Sequence, residues 1–213
     1  MPFVDCAHPP ANAAGPSGPA RSLATRLWRG KQVPGALLLD AAGSVPAKLA
    51  GATGRVESGG AFVDPAIEGE LRGALPAPLA RFARPQLEWY ACRGAFFHND
   101  AHYEGVLFGV WSIAGPPRHL AFPRIGCRLP ASAGNIVVFD PFEPHAVLDA
   151  GAARYRREDY EQAALNLFLG FEVDLVPEVR EAFGIGAARE DVLTLSSRVA
   201  INPETGNPVT SAA

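Results

Sequence analysis

The sequence predicts a mainly β protein: a jelly-roll core of short strands, braced on an outer face by helices from the N-terminal part of the chain. Three observations carry this reading. From Pro85 onward, short apolar runs alternate with Gly, Pro and Asn breaks, which is the texture of a sandwich or barrel of short strands. Before that point apolar residues recur at helical spacing, as in Ile67, Leu71, Leu75 and Leu79. A chain of 213 residues, 48% hydrophobic and 19% charged, is long and apolar enough to fill one domain.

Taken in order, residues 1–20 are rich in Ala, Pro and Gly and are expected to form a flexible arm. They lack the basic and apolar regions of a signal peptide. Residues 21–84 are expected to give helical and strand support. Pro19 to Arg29 places Leu23, Leu27 and Trp28 on one side of an amphipathic helix that Gly30 would stop, and Val33 to Leu39 reads as a strand. Asp64-Pro65 reads as an N-cap and first helical position, because the carboxylate accepts from free N–H groups of the first turn and proline has none to waste there. Pro76 and Pro78 interrupt the helical pattern before Ala83.

Residues 85–175 form the expected core. Its runs are Leu87 to His98, Gly105 to Ile113, His119 to Phe122, Gly126 to Leu129, Asn135 to Phe139, His145 to Leu148 and Ala163 to Val173. Ala133-Gly134-Asn135 reads as a tight turn, and Pro141 to Pro144 as a second turn that delivers His145 to the next strand. Residues 176–213 are expected to give a C-terminal helix over part of Val176 to Ser196, then a polar tail from Asn202 with little to bury.

The chemistry-bearing pattern is His98-Asn99-Asp100, followed about fifty residues later by Pro144-His145. Alternation along a strand ending at His98 would set Tyr90, Cys92, Gly94, Phe96 and His98 on one face, with Asp100 swinging in after the turn. Two imidazoles and one carboxylate can hold Fe(II) on one side and leave the other open for water, a bidentate acid and O2. Taken singly, His98 and Asp100 read as a surface turn and His145 as a hydrogen-bonded residue at a strand start. Together, with a Gly-turn strand between them, they point to a mononuclear non-heme iron centre and an oxygenase. No cysteine has the spacing to complete a structural zinc site. His102 is expected at the pocket rim or against substrate, His119 in a structural role, and His8 as inert in the arm.

At these residues the chain resembles the Fe(II)/2-oxoglutarate-dependent dioxygenases, whose double-stranded β-helix carries a His-x-Asp…His triad. The resemblance spans Leu87 to Phe171, about two-fifths of the chain. Glu88-Trp89-Tyr90-Ala91-Cys92-Arg93-Gly94-Ala95-Phe96-Phe97-His98-Asn99-Asp100 is similar to the strand leading to the first ligands. Gly134 to Asp140, followed by Pro144-His145-Ala146-Val147, is similar to the Gly-initiated strand and distal ligand, and Phe122-Pro123-Arg124-Ile125-Gly126 is similar to prolyl-hydroxylase-like members.

The resemblance implies His98, Asp100 and His145 as catalytic metal ligands, O2 as oxidant, and 2-oxoglutarate as a co-substrate converted to succinate and CO2. It also implies an Arg or Lys partner for the co-substrate's distal carboxylate, a pairing that suits the guanidinium fork. Spacing from the distal His points to Arg154 or Arg156, whereas strand alignment puts Gln162 at the basic position. Arg124 and Arg128 are the other candidates. Tyr90, Phe96, His102, Trp111 and Phe139 are expected in the pocket wall, and Asn166 either faces the cavity or is a satisfied core amide. Asp100 argues against a halogenase-type member, which lacks the carboxylate.

Composition narrows the rest. A net charge of −3 with scattered basic residues gives no footprint for nucleic acid, and no run of 18 apolar residues exists to span a membrane. Cys6, Cys92 and Cys127 are far apart and odd in number, which fits a reducing cytoplasm rather than a disulfide framework. With only Lys31 and Lys48 as lysines, the carboxylate anchor is expected to be an arginine. A small-molecule substrate is expected; oligomeric state is not readable. Two rival readings stand beside the oxygenase: a cupin-like metal-dependent dioxygenase that does not use 2-oxoglutarate, which Gln162 favours, and a non-catalytic jelly-roll binding protein.

Overall fold

The computed structural model describes residues 3–6, 21–45, 49, 53–100, 103–187 and 200–209. In chain order its elements are β1 (Phe3–Asp5), β2 (Arg26–Lys31), α1 (Ala36–Gly43), β3 (Glu57–Phe62), α2 (Pro65–Ala74), α3 (Ala77–Phe82), β4 (Ala83–Cys92), β5 (Ala95–His98), β6 (Val106–Ala114), β7 (Arg118–Phe122), β8 (Cys127–Pro130), β9 (Asn135–Phe139), β10 (His145–Asp149), β11 (Asn166–Asp174) and α4 (Pro177–Phe183). The strands form a seven-stranded sheet in the order β1-β2-β9-β6-β11-β4-β3 and a four-stranded sheet in the order β5-β10-β7-β8. The mainly β expectation is met, and both sheets are antiparallel.

Side-chain alternation explains why the strands read as almost continuous apolar runs. Phe108, Val110, Val137, Phe139 and Phe168 of the large sheet meet Leu120, Phe122, Leu129 and Val147 of the small one in a core between the sheets. The intervening residues Leu107, Trp111, Ile136, Val138, Leu169 and Phe171 point the other way, onto helix residues Leu38, Ile67, Leu71, Leu79, Val179 and Phe183. The bracing helices are therefore real, and Asp64 caps α2 by accepting from the N–H groups of Ala66 and Ile67. Among the described residues no helix is long and apolar enough to cross a membrane.

The structure corrects several expectations. The helix over Pro19 to Arg29 is replaced by β2, and residues 21–25 carry no helix. Leu27 enters the core between the sheets while Trp28 enters the helix-side core, so their burial follows the two-residue period of a strand. Val33 to Leu39 is not a strand: α1 starts at Ala36 and buries Leu38 and Ala42, one helical turn apart. Leu87 to His98 is not one strand either. Gly94, at φ +117°, separates β4 in the large sheet from β5 in the small one. Tyr90 and Cys92 thus belong to one sheet and Phe96 and His98 to the facing one. β11 begins at Asn166, leaving Ala163 to Leu165 outside it.

The tail is better packed than its polarity suggested. Ile201 bridges Pro208, and a Cβ on Gly206 would meet the Pro123 and Phe97 side chains. Within the arm, residues 3–5 pair with β2; residues 7–20 lie outside the described residues, as do 188–199 and 210–213.

Gly94 gives the fold a direct test. A Cβ there would lie 2.3 Å from the Tyr160 ring, in a backbone region that L-residues avoid. Gly94→Ala should lower unfolding free energy by about 3 kcal/mol, summing overpacking and backbone strain. Urea denaturation reads the change, and an unaltered midpoint would show that the β4–β5 break does not need this glycine.

Candidate metal centre

His98 closes β5 and His145 opens β10, and these neighbouring strands pair them directly across from each other. Their ring centroids are 4.5 Å apart. Asp100 follows β5 by two residues and is turned inward by its backbone N–H, which donates to the Pro141 carbonyl at 2.8 Å. Asp100 Oδ2 lies 3.8 Å from His98 Nε2 and 3.5 Å from His145 Nε2. All three donor atoms fall within 4.8 Å of one another.

Backbone carbonyls set the orientation of both rings. His98 Nδ1 lies 2.8 Å from the Phe96 carbonyl and His145 Nδ1 lies 2.9 Å from that of Glu143. A proton on each Nδ1 donates to its carbonyl and leaves the Nε2 lone pair facing Asp100, the arrangement a metal ligand requires. This tautomer follows from the hydrogen-bond partners. Burial, reinforced by nearby His98, lowers the His145 pKa to about 4, so this ring is neutral at pH 7. Two imidazole nitrogens and one carboxylate within this span fit a divalent ion held on one side.

The turn between β9 and β10 supports this arrangement. Asp140 is buried, and its carboxylate accepts from Arg21 Nη1 at 2.7 Å, Arg21 Nη2 at 2.9 Å, the Ala24 N–H at 2.9 Å and the Phe142 N–H at 3.1 Å. The Arg21 guanidinium also lies 4.4 Å from the Phe142 ring centroid. Glu143 is also buried, 3.8 Å from Arg124, too far for a hydrogen bond. Burial raises its carboxyl to about 7 despite that arginine. Burial also lowers the Arg124 pKa, so each partner only partly compensates the other.

The triad opens onto a cavity of about 370 Å³ between the sheets, walled by Tyr90, Phe96, Phe108, Phe139 and Phe168 among others. Tyr90 donates from its hydroxyl to Glu88 at 2.7 Å. Arg55, exposed on the segment before β3, is the arginine in this lining. A second cavity, of about 790 Å³, shares Phe96, His98 and Asn99 with the first.

Of the residues singled out in the sequence, His98, Asp100 and His145 come together, with Tyr90, Phe96 and Phe139 in the inner wall. Arg154 and Arg156 line the outer cavity instead. Arg124 faces Glu143, Arg128 is exposed on β8, and Gln162 is exposed in a turn before β11; none of the three lines either cavity. Trp111 is not a wall residue: it is buried in the helix-side core and donates from Nε1 to the Gln32 carbonyl. Asn166 is a satisfied core amide, accepting from Arg118 and donating to the Pro116 carbonyl. His119 is half-buried on β7, opposite Pro130 and Leu148. His8 and His102 lie outside the described residues. Sequence reasoning missed Arg21, Asp140 and Arg55. An Asp just before a Pro-containing turn was the available signal for Asp140, but its partner is 119 residues away.

No protein-family model matches the chain, and no curated protein matches it. Solved structures that resemble it include a prolyl-4-hydroxylase of Pseudomonas putida, 16% identical, with a TM-score of 0.44, covering 70% of this chain and 93% of that one. That likeness is too distant to assign an activity.

Two measurements test this account of the site. Asp140→Ala strands the buried Arg21 charge and should cost about 3 to 5 kcal/mol of stability; a loss below about 1 kcal/mol in urea unfolding would remove Asp140 from its supporting role. The second concerns pH. His145, depressed from 6.5 to about 4, contributes stability that is complete above pH 6.5 and is lost as pH falls toward 4. Glu143, raised from 4.5 to about 7, contributes stability that is complete below pH 4.5 and is lost as pH rises through 7, so the two oppose each other. In metal-free Glu143→Gln protein the opposing Glu143 contribution is removed, and unfolding free energy should drop by on the order of 3 kcal/mol between pH 7 and 4 through His145. A flat profile would contradict the burial of neutral His145.

Proposed function

We propose that this chain is a mononuclear non-heme Fe(II) oxygenase that uses 2-oxoglutarate and O2 to oxidise a C–H bond of a small molecule. The observation that carries the reading is the convergence of His98 Nε2, His145 Nε2 and an Asp100 oxygen on the floor of an apolar cavity, with both imidazoles oriented from behind. This donor set suits Fe(II), leaving it a net charge of about +1 and an open side for an acid and O2. When bound, the iron and the 2-oxo acid supply the oxidising chemistry, with succinate and CO2 as co-products.

The chain's own contribution is orientation and exclusion of water. Phe96, Phe108, Phe139 and Phe168 form a dry wall around the open side of the triad. Arg55 is placed in the lining to meet the distal carboxylate of the co-substrate. The strand order also supports reading the core as a double-stranded β-helix. From β4 to β11 the chain distributes its strands as β4-β11-β6-β9 in the large sheet and β5-β10-β7-β8 in the small one.

One observation favours a second reading, a cupin-like dioxygenase that uses the same triad without a 2-oxo acid. Phe168 is the residue of β11 in the cavity lining, and the lining's arginine comes from outside the strands of the core.

Anaerobic titration of the full chain with Fe(II) and then 2-oxoglutarate separates the readings. The proposed function expects a visible charge-transfer band on adding the 2-oxo acid. His98→Ala and Asp100→Ala should weaken Fe(II) binding at least about tenfold, and Arg55→Gln should leave Fe(II) binding intact while weakening 2-oxoglutarate binding about tenfold. Iron binding and O2 uptake without the band would favour the cupin-like reading; absence of triad-dependent metal binding would overturn both.

A further inference from the structure

We propose that the outer cavity is the substrate site, and that the substrate is a small organic acid held by Arg154, Arg156 and Arg157 with its oxidisable end directed past His98 to the triad. Its role as the substrate site rests on the proposed function; the acid-binding site itself does not. The outer cavity is built from the edge of β5, the loop from Arg154 to Glu158, and the turn from Ile201 to Glu204. These three pieces are tied together. Tyr155 N–H donates to the Glu204 carbonyl and Phe97 N–H to the Pro203 carbonyl, both at 2.9 Å. The Tyr155 ring is buried, stacked on Tyr160 at 5.1 Å between centroids and edge-on to Phe96 at 6.2 Å.

Tyr155 is buried, whereas Arg154 and Arg156 on either side of it are exposed. Among the described residues, the side chains of Arg154, Arg156 and Arg157 make no ion pair or hydrogen bond, so their donors are available to a ligand. A guanidinium fork matches a carboxylate or phosphate oxygen pair. Glu158 and Glu204 line the same cavity, so three guanidiniums stand against two carboxylates. That balance favours a ligand with one acid group over a polyanion such as nucleic acid.

The shared wall links this cavity to the chemistry. Phe96, His98 and Asn99 line both cavities, so a molecule anchored at the arginines has its remainder beside the metal face. Asn99 adds a second observation: its buried Nδ2 is a donor with no partner among the described residues. A volume of about 790 Å³ is ample for a small molecule.

The test uses metal-free full-length protein and two probes, 4-phenylbutyrate and phenyl phosphate, which separate carboxylate from phosphate as the preferred acid. Calorimetric titration should show saturable, salt-sensitive binding of at least one probe. That binding should weaken about tenfold in Arg154→Gln/Arg156→Gln and remain unchanged in Arg81→Gln, on a distant helix. With Co(II) added at the triad, proton resonances of the bound probe should broaden. No saturable binding of either probe, equal binding by the double arginine variant, or loss of binding in Arg55→Gln instead would overturn the proposal. So would probe binding without broadening when Co(II) occupies the triad. If arginine-dependent probe binding persists but Co(II) fails to bind His98, Asp100 and His145, the acid site stands and the iron reading falls.

Discussion

The carboxylate of Asp140 is the constraint on which the site depends. It takes four hydrogen bonds, two from Arg21, one from the backbone near the start of β2 and one from within its own turn. Fixing that turn fixes the two carbonyls that matter most to the triad. Pro141 accepts from the backbone of Asp100, and Glu143 accepts from the ring of His145. One buried ion pair therefore sets the distance between ligands from different strands. A pair this deeply buried has a large desolvation cost and adds little net stability over an apolar replacement. Its contribution is positional: both oxygens of Asp140 tie the turn to Arg21 and to the segment before β2.

The sheets supply the rest of the geometry. Because β5 and β10 are paired neighbours, His98 and His145 need no loop to bring them together. The break at Gly94 makes this possible by sending the chain from the large sheet to the edge of the small one four residues before His98. An uninterrupted strand would have kept His98 in the large sheet with Tyr90. As built, the first imidazole stands at a sheet edge, where it borders the inner cavity on one side and the arginine-lined cavity on the other.

The parts legible in the sequence were those with local signatures. Gly, Pro and Asn punctuation located β6 to β10 closely, and Asp64-Pro65 announced the start of α2. Residue chemistry alone singled out His98, Asp100 and His145 as a set. Failures came where burial on two faces imitates another period. Leu27 and Trp28 are both buried, which reads as a helical stripe unless it is known that each faces a different core. Val33 and Leu39 are apolar but exposed, so their run gave a strand signal without a buried face. Non-local partners carried no signal at all, as with Arg21 for Asp140 and Arg55 for the inner cavity. The Gln162 alignment failed for a related reason, since the strand starts three residues later than its apolar run suggests.

Charge connects the two cavities. Without a metal ion, neutral His145 and the Asp100 carboxylate leave the triad unattractive to acids, and the apolar inner wall offers them little compensation. A divalent ion reverses the sign of that field at both cavities, because His98 borders each of them. On the proposed function, an acid would then bind more favourably in either cavity, and by reciprocity a bound acid would hold the ion more tightly. Arg55 and the Arg154–Arg157 loop stand at exposed positions where water and salt screen them, which is why the acid binding proposed there is expected to be salt-sensitive.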